Sequence, residues 1–260
     1  MSKKIKNLIG YRLAARDGEI GHLKDFYFDD QSWTVRYLIA DTGNWLAKRK
    51  VLISPFAVIG FQSEPHNSIA VKMTKKQIED SPPIEAHKPV SRQYEEKFSQ
   101  YYGWPYYWPG PLLWGPIAYP GLYIPEVTPA QPPRDPVSSS DSHLRSVCEV
   151  IGHEIQALND HFGHVENFIL DDKFWTIRYM VIDTGNWWPG KKVLLSPEWI
   201  SWVSWPEARV YIDLDRDTVK RAPEYKPDRE ITRDYEKRLF DYYNREPYWN
   251  RNRELNQAVD

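Results

Sequence analysis

The chain has 260 residues, 41% hydrophobic and 27% charged, with a formal net charge of −2, a size and balance suited to two modest globular domains. The slight acidic excess argues against sequence-independent nucleic-acid binding, which needs surplus Lys and Arg to meet phosphates. A single cysteine, Cys148, excludes an intrachain disulfide; no run reaches the roughly 18–20 apolar residues that span a bilayer, and residues 1–10 lack the apolar core of a signal peptide, so a cytoplasmic location is expected.

From the N-terminus the pattern reads as short strands. Asp17-Gly18 is a hairpin signal. Ile20, Leu23 and Phe26 then recur every three residues, out of phase with a strand, and a bulge at Gly21 restores the period. Trp33, Val35, Tyr37 and Ile39 alternate with Thr34, Arg36, Leu38 and Ala40, predicting a strand buried on one face throughout and on the other only near its end. Asp41-Thr42-Gly43-Asn44-Trp45 turns the chain, since Asp and Asn bond nearby backbone and Gly accepts positive φ. Strands follow at 50–53, ended by Ser54-Pro55, and at Ile69, Val71 and Met73. A helix is expected after Ser91 as N-cap, with Tyr94, Phe98 and Tyr101 on one face.

Residues 103–143 hold ten prolines and seven aromatics and end in Ser138-Ser139-Ser140. A free linker is poor in aromatics. Residues 104–125 are therefore expected to pack on the rest of the chain, with the Ser-rich end as a hinge. Trp104, Tyr106, Tyr107, Trp108, Trp114, Tyr119 and Tyr123 are also residue types that dominate binding interfaces, which makes them the candidate partner surface.

The whole pattern then repeats. Residues 8–55 align without a gap on 150–197 at an offset of 142, and 22 of those 48 positions are identical. The turn recurs as Asp183-Thr184-Gly185-Asn186-Trp187, the bulge as Gly163, and the hairpin as Asn159-Asp160. At an offset of 141, Val210, Ile212 and Leu214 match the last strand; Thr232 caps a helix with Tyr235, Leu239 and Tyr242, and Tyr248-Trp249 match Tyr107-Trp108. Five or six short strands in about 70 residues suggest a small closed or nearly closed barrel.

The opening Ile-Gly, the Gly-His after the hairpin, the Trp33–Trp45 strand and turn, and the 50–55 strand with its Ser-Pro stop resemble the PRC-barrel. That domain is shared by the cytoplasmic part of the photosynthetic reaction-centre H subunit and by the ribosome-maturation factor RimM. The resemblance covers residues 5–80 and 146–222. It implies an all-β fold with short helical extensions: two small antiparallel β-barrels in tandem, each followed by a helix. The expected divisions are barrel 1–80, helix 81–102, connecting segment 103–143, barrel 144–222, and helix and tail 223–260. The family has no common catalytic set and its members mostly contact other macromolecules. The expectation is thus a non-enzymatic protein-binding or scaffolding module in a bacterial cytoplasm, without a cofactor and with a protein partner.

Two other readings compete. Aspartic proteases carry an apolar-apolar-Asp-Thr-Gly in each of two halves, where two carboxylates share one proton and activate water. Asp41 and Asp183 fit that outline, but Asn follows each Gly, and the downstream Val58-Ile59-Gly60 has no equivalent in the second copy, which reads Ile200-Ser201-Trp202. The residues are read instead as structural turns. An RNA- or ribosome-associated role follows only from analogy, and the charge balance opposes it. His22 and His164 match across copies and His161 lies nearby, yet zinc needs three or four converging ligands, so no metal site is expected. Asp29-Asp30 and Asp171-Asp172 read as turns.

Overall fold

In the computed structural model, residues 2–46, 49–85, 89–124, 143–185 and 190–250 are described. Asn186, Trp187 and the Ser138–Ser140 hinge lie outside them. In chain order the elements are β1 (Ser2–Lys4), α1 (Ile5–Leu8), β2 (Arg12–Ala15), β3 (Gly18–Asp29), β4 (Thr34–Asp41), β5 (Val51–Ile53), β6 (Val58–Gln62), β7 (Ser68–Val71), α2 (Lys75–Glu79) and α3 (Arg92–Tyr102). There follow β8 (Leu144–Ser146), α4 (Val147–Val150), β9 (Glu154–Gln156), β10 (His161–Asp171), β11 (Thr176–Asp183), β12 (Lys192–Leu195), β13 (Ile200–Ser204), β14 (Arg209–Ile212), α5 (Arg216–Arg221) and α6 (Arg233–Tyr243). The fold is mostly β-sheet with a few helices.

The chain divides into two compact units. Unit 1 holds residues 3–150 and 169–178; unit 2 holds 151–168 and 179–260, with Ser2. The division does not follow the sequence repeat, because the end of β10, the turn after it and the start of β11 belong to unit 1. There Thr176 pairs with Thr34, the Val35 N–H donates to the Trp175 carbonyl at 2.7 Å, and the Ile177 N–H donates to the Trp33 carbonyl at 2.8 Å. Both tryptophans stand at positive φ, +51° and +59°, so the expected alternation begins at Thr34 rather than at Trp33. Residues before the second copy also join unit 1, where β8 pairs antiparallel with the end of β3, Tyr27 opposite Ser146 and Asp29 opposite Leu144.

Strand order in the first copy is β5-β4-β3-β2-β7-β6, and the second repeats it as β12-β11-β10-β9-β14-β13. Of the closed or nearly closed barrel that was expected, full closure is not formed: the sheet is open. β5 and β6 are consecutive in sequence but pair on opposite ends of the order, separated by a 3-10 turn at Pro55–Ala57, where proline brings no N–H and the Ser54 hydroxyl accepts from Phe56 N–H at 3.4 Å. Nor is every pair antiparallel. β2 runs parallel to β7, and β9 to β14, since the last hairpin returns beside the first strand after a long crossover.

Packing is tight around β3 and β4. Leu13, Leu23, Phe26, Phe28, Val35, Leu38, Ile53 and Ile69 are buried in the first copy, as are Ile155, Val165, Phe168, Leu170, Ile177, Met180, Leu195 and Val210 in the second. β4 is buried on both faces up to Ala40, more than its sequence pattern suggested, and this includes Arg36. The expected hairpins and bulges form. In the first copy Leu13 opposes Gly21 and Ala14 opposes Glu19; in the second the register slips between Phe162 and His164.

The bulge has a steric purpose. A Cβ on Gly21 would lie 2.0 Å from the Asp41 carbonyl oxygen, and one on Gly163 would lie 2.0 Å from that of Asp183. The bulge glycine and the Asp-Thr-Gly turn are thus one device, in which β3 passes under the end of β4 with no room for a side chain. Gly43 differs: it has φ +58° but open space around its missing Cβ. Gly21→Ala should therefore cost more than about 3 kcal/mol, since backbone must move, whereas Gly43→Ala should cost about 1 kcal/mol of φ strain. Urea denaturation of the two variants checks the order; equal losses would mean that the close approach is not maintained in solution.

Candidate functional site

Each Asp-Thr-Gly turn is complete within its own unit. Asp41 Oδ1 accepts from Gly43 N–H at 3.0 Å and Asp183 Oδ1 from Gly185 N–H at 2.8 Å, the side-chain-to-backbone turn expected of Asp. The Trp45 N–H donates to the Thr42 carbonyl at 3.3 Å, and the Lys75 ammonium lies over the Trp45 ring, while Asn44 is exposed. In unit 2 Thr184 is buried and its hydroxyl donates to the Lys191 carbonyl at 2.9 Å.

The paired acids also serve turns. Asp29 Oδ1 accepts from the N–H groups of Gln31 and Ser32, and Asp171 Oδ1 from those of Lys173 and Phe174. Their second oxygens take Arg36 at 3.4 Å and Arg178 at 3.0–3.1 Å. His22 and His164 are exposed on their strands, and His161 stands 3.3 Å from Asp160. Among the described residues no three His, Cys, Asp or Glu side chains converge as metal ligands.

The densest polar chemistry lies where the sequence showed only aromatics. Trp104, Tyr106, Tyr107 and Trp114 are buried in unit 1, and Trp108, Tyr119 and Tyr123 are half-buried. Phe56 gathers Trp104, Trp114 and Tyr123 around it, with ring centroids 5.1–6.2 Å away. The Trp114 indole donates to the Phe174 carbonyl at 3.0 Å. The Arg36 guanidinium lies 3.9 Å from the Tyr107 ring centroid and 4.9 Å from that of Trp114, and donates to the Leu113 carbonyl at 2.6 Å. Residues 104–124 thus pack on unit 1 through their aromatics, leaving Leu113, Leu122 and Ile124 as the exposed large hydrophobic side chains.

At the centre is Glu95, fully buried on α3. Its Oε1 accepts from Tyr37 of β4 at 3.1 Å and from Tyr107 of the trailing segment at 2.6 Å, while Arg92 pairs with Oε2 at 3.1 Å. Arg92 in turn lies 4.3 Å from the Trp108 ring centroid, and one of its Nη atoms is 2.9 Å from His143 Nε2. Unit 2 repeats the arrangement: Glu236 accepts from Tyr179 at 2.9 Å and Tyr248 at 3.0 Å, and pairs with Arg233, which lies 4.0 Å from the Trp249 ring centroid. The clamp was missed because a periodicity reading counts apolar residues. It placed Tyr101 and Tyr242 on the buried helix face, yet they are 41% and 37% exposed; the buried stripes are Glu95, Phe98 and Ser99, and Glu236, Leu239, Phe240 and Tyr243. The expected caps do form, with Ser91 accepting from Tyr94 N–H and Thr232 from Tyr235 N–H.

Burial raises the Glu95 pKa, opposed by Arg92, Tyr107, His143 and Tyr37. Burial, reinforced by Glu95, also holds the Tyr37 and Tyr107 hydroxyls well above their ordinary range, so both stay donors. An acid whose pKa is higher folded than unfolded stabilises below its unfolded pKa and loses that contribution as pH rises through the folded one. The stability difference between wild type and Glu95→Gln should therefore move against the wild type as pH rises from the ordinary glutamate value of about 4 through the range in which the protein stays folded. Denaturation midpoints across that range test it; a constant difference would show that the arginine offsets burial. For Arg36, whose planar group is stacked and buried, Arg36→Lys should cost about 2–4 kcal/mol, read from the same measurement at neutral pH.

No curated protein matches the chain. Over its first copy, where strand order, bulge, Asp-Thr-Gly turn and Ser-Pro stop are now assigned, the chain matches a family model from residue 2 to residue 77. The protein carries a PRC-barrel domain over residues 2–77.

Proposed function

We propose that the chain is a tandem PRC-barrel protein, with barrels at 1–80 and 144–222, helical extensions at 81–102 and 223–260, and a connecting segment at 103–143, acting as a non-enzymatic protein-binding scaffold in the cytoplasm. The identical strand orders and the repeated Glu–Tyr–Tyr clamp support the tandem reading.

One observation carries the binding role. Among the described residues the terminal strands β6 and β13 pair on one side only; they contain no charged residue, and expose Ile59 at 62% and Trp202 at 52%. Edge strands are ordinarily blunted by lysine, proline or inward charge, because their open N–H and C=O groups pair with other chains. An apolar, uncharged edge suits addition of a partner's strand. On β13, Trp202 stacks on Tyr211 across the hairpin, centroids 4.1 Å apart, where the first copy has only Gly60 opposite Ala70.

A hydrolase using Asp41 and Asp183 is disfavoured, since each carboxylate already accepts from its own turn. The acidic balance likewise counts against an RNA-associated role.

Affinity capture with wild type, Trp202→Lys and Ile59→Lys tests the proposal. The variants should keep the wild-type melting temperature, because both side chains are exposed, and at least one should lose a protein that the wild type retains. Identical capture by all three would overturn the edge-strand reading.

A further inference from the structure

Each copy ends in one open strand. Among the described residues β6 pairs only with β7, and β13 only with β14. Both carry an irregularity near their start, between Val58 and Gly60 and between Ile200 and Trp202, followed by regularly paired positions at 60–62 and 202–204. The two strands differ in relief at the first of those positions. β13 raises the exposed Trp202 ring, stacked on Tyr211 with planes 12° apart. β6 has Gly60 there, and a Cβ added to Gly60 would meet nothing within 4 Å. Its neighbours in the row across β7 and β2 are Ala70 and Ala14. One edge presents a ridge and the other a hollow.

The copies also differ in charge. Residues 1–80 contain 13 Lys and Arg against 9 Asp and Glu, whereas residues 144–222 contain 9 against 12. The first copy is therefore net positive and the second net negative. The same signs occur at the edges: the Lys3 ammonium lies 5.7 Å from the Phe61 ring centroid on β6, and Glu207 accepts from the Tyr211 hydroxyl at 2.9 Å, at the tip of the ring pair that Trp202 completes. Opposite charges are present too, with Glu64 exposed after β6 and Arg209 paired with Glu154 beside β14. An edge pairing with itself brings two copies of like net charge together. β13 pairing with β6 of another molecule brings unlike ones together, which steers encounter and suppresses the alternative.

We propose that a second copy of this chain supplies the added strand: β13 of one molecule pairs with β6 of the next, and Trp202 covers Gly60. Self-pairing rests on the edge-strand role proposed above and names its occupant. Small side chains at Gly60 and Ala70 leave room for the ring, and a cross-strand aromatic offsets the missing side chain of an edge glycine. The contact is head-to-tail, so a pair of molecules keeps one β6 and one β13 open. Such a short strand pair buries less than the roughly 1,200 Å² of a stable interface, which sets a weak association with a dissociation constant on the order of 0.1 mM.

Sedimentation equilibrium of the full-length chain, from about 10 µM to about 1 mM, tests this. Wild type should associate, and raising salt from about 50 mM to about 500 mM should weaken the association at least about threefold. Trp202→Lys removes the ridge, and Gly60→Lys fills the hollow without a clash; each places a lysine on an edge, and each alone should stay monomeric. Mixed in equal amounts the two variants should form a dimer and stop there, because the first keeps an intact β6 and the second an intact β13. Recovery of that dimer also shows that both variants are folded. Wild type that is monomeric at about 1 mM, association that both variants retain, or two folded variants that fail to dimerise in the mixture would overturn the proposal. Association kept by Gly60→Lys but lost by Trp202→Lys would mean that β13 pairs with itself and would remove the head-to-tail contact. Monomeric wild type, together with a foreign protein that Trp202→Lys fails to capture, would remove the second copy as occupant and leave the edge-strand reading standing.

Discussion

One buried carboxylate ties three separate pieces of each copy together. Glu95 is on the helix, Tyr37 on the central strand and Tyr107 on the segment beyond the helix, and the first meets both of the others. A buried carboxylate without partners is among the costliest groups a protein can hold, so helix and segment can dock only in the arrangement that supplies both hydroxyls and the arginine. Hydrophobic burial would accept many such arrangements; this carboxylate accepts one. That the second copy rebuilds it with Glu236, Tyr179, Tyr248 and Arg233 argues that the duplicated unit is strand, helix and trailing segment together.

The clamp also explains why an aromatic-rich segment is compatible with a well-behaved surface. Tyr107 is drawn in by its hydroxyl, its ring then covers Arg36, and Trp114 closes the other contact with that guanidinium. Arginine is suited to this position because its planar group stacks on rings while its N–H groups reach Leu113, Ser32 and Asp29. The same stacking recurs at Arg92 on Trp108 and Arg233 on Trp249. The aromatics that resemble an interface are, in unit 1, largely the packing surface of arginines and of Phe56.

What the sequence made legible was local or repeated. The hairpins, the bulges and the two caps each rest on a residue whose own geometry demands the feature: Gly at a close approach, Ser or Thr before a helix. Repetition doubled the signal. What it hid was long-range. Nothing near Glu95 reveals that its hydroxyl donors lie 58 residues upstream and 12 downstream. Arg36 alternates like a surface residue because Leu113, whose carbonyl it meets, arrives 77 residues later. Open or closed sheet topology depends on whether β5 and β6 meet, and strand patterning alone carries no information about that.

Since the copies share their interior, their surface differences are where separate functions could develop. Two such differences are chemically coherent. Gly60 and Ala70 become the stacked Trp202 and Tyr211, turning a bare hairpin face into an aromatic one. Lys24 stands where the second copy has Glu166, whose carboxylate pairs with Lys192. Neither change touches the glutamate clamp or the glycine crossing, so neither needs to compromise folding. Random drift on exposed positions would be expected to scatter small polar residues. A tryptophan left half-exposed on an uncharged edge carries a cost that drift alone does not favour. The cost is removed when another molecule covers the tryptophan, and that is the physical case behind the binding role proposed for β13.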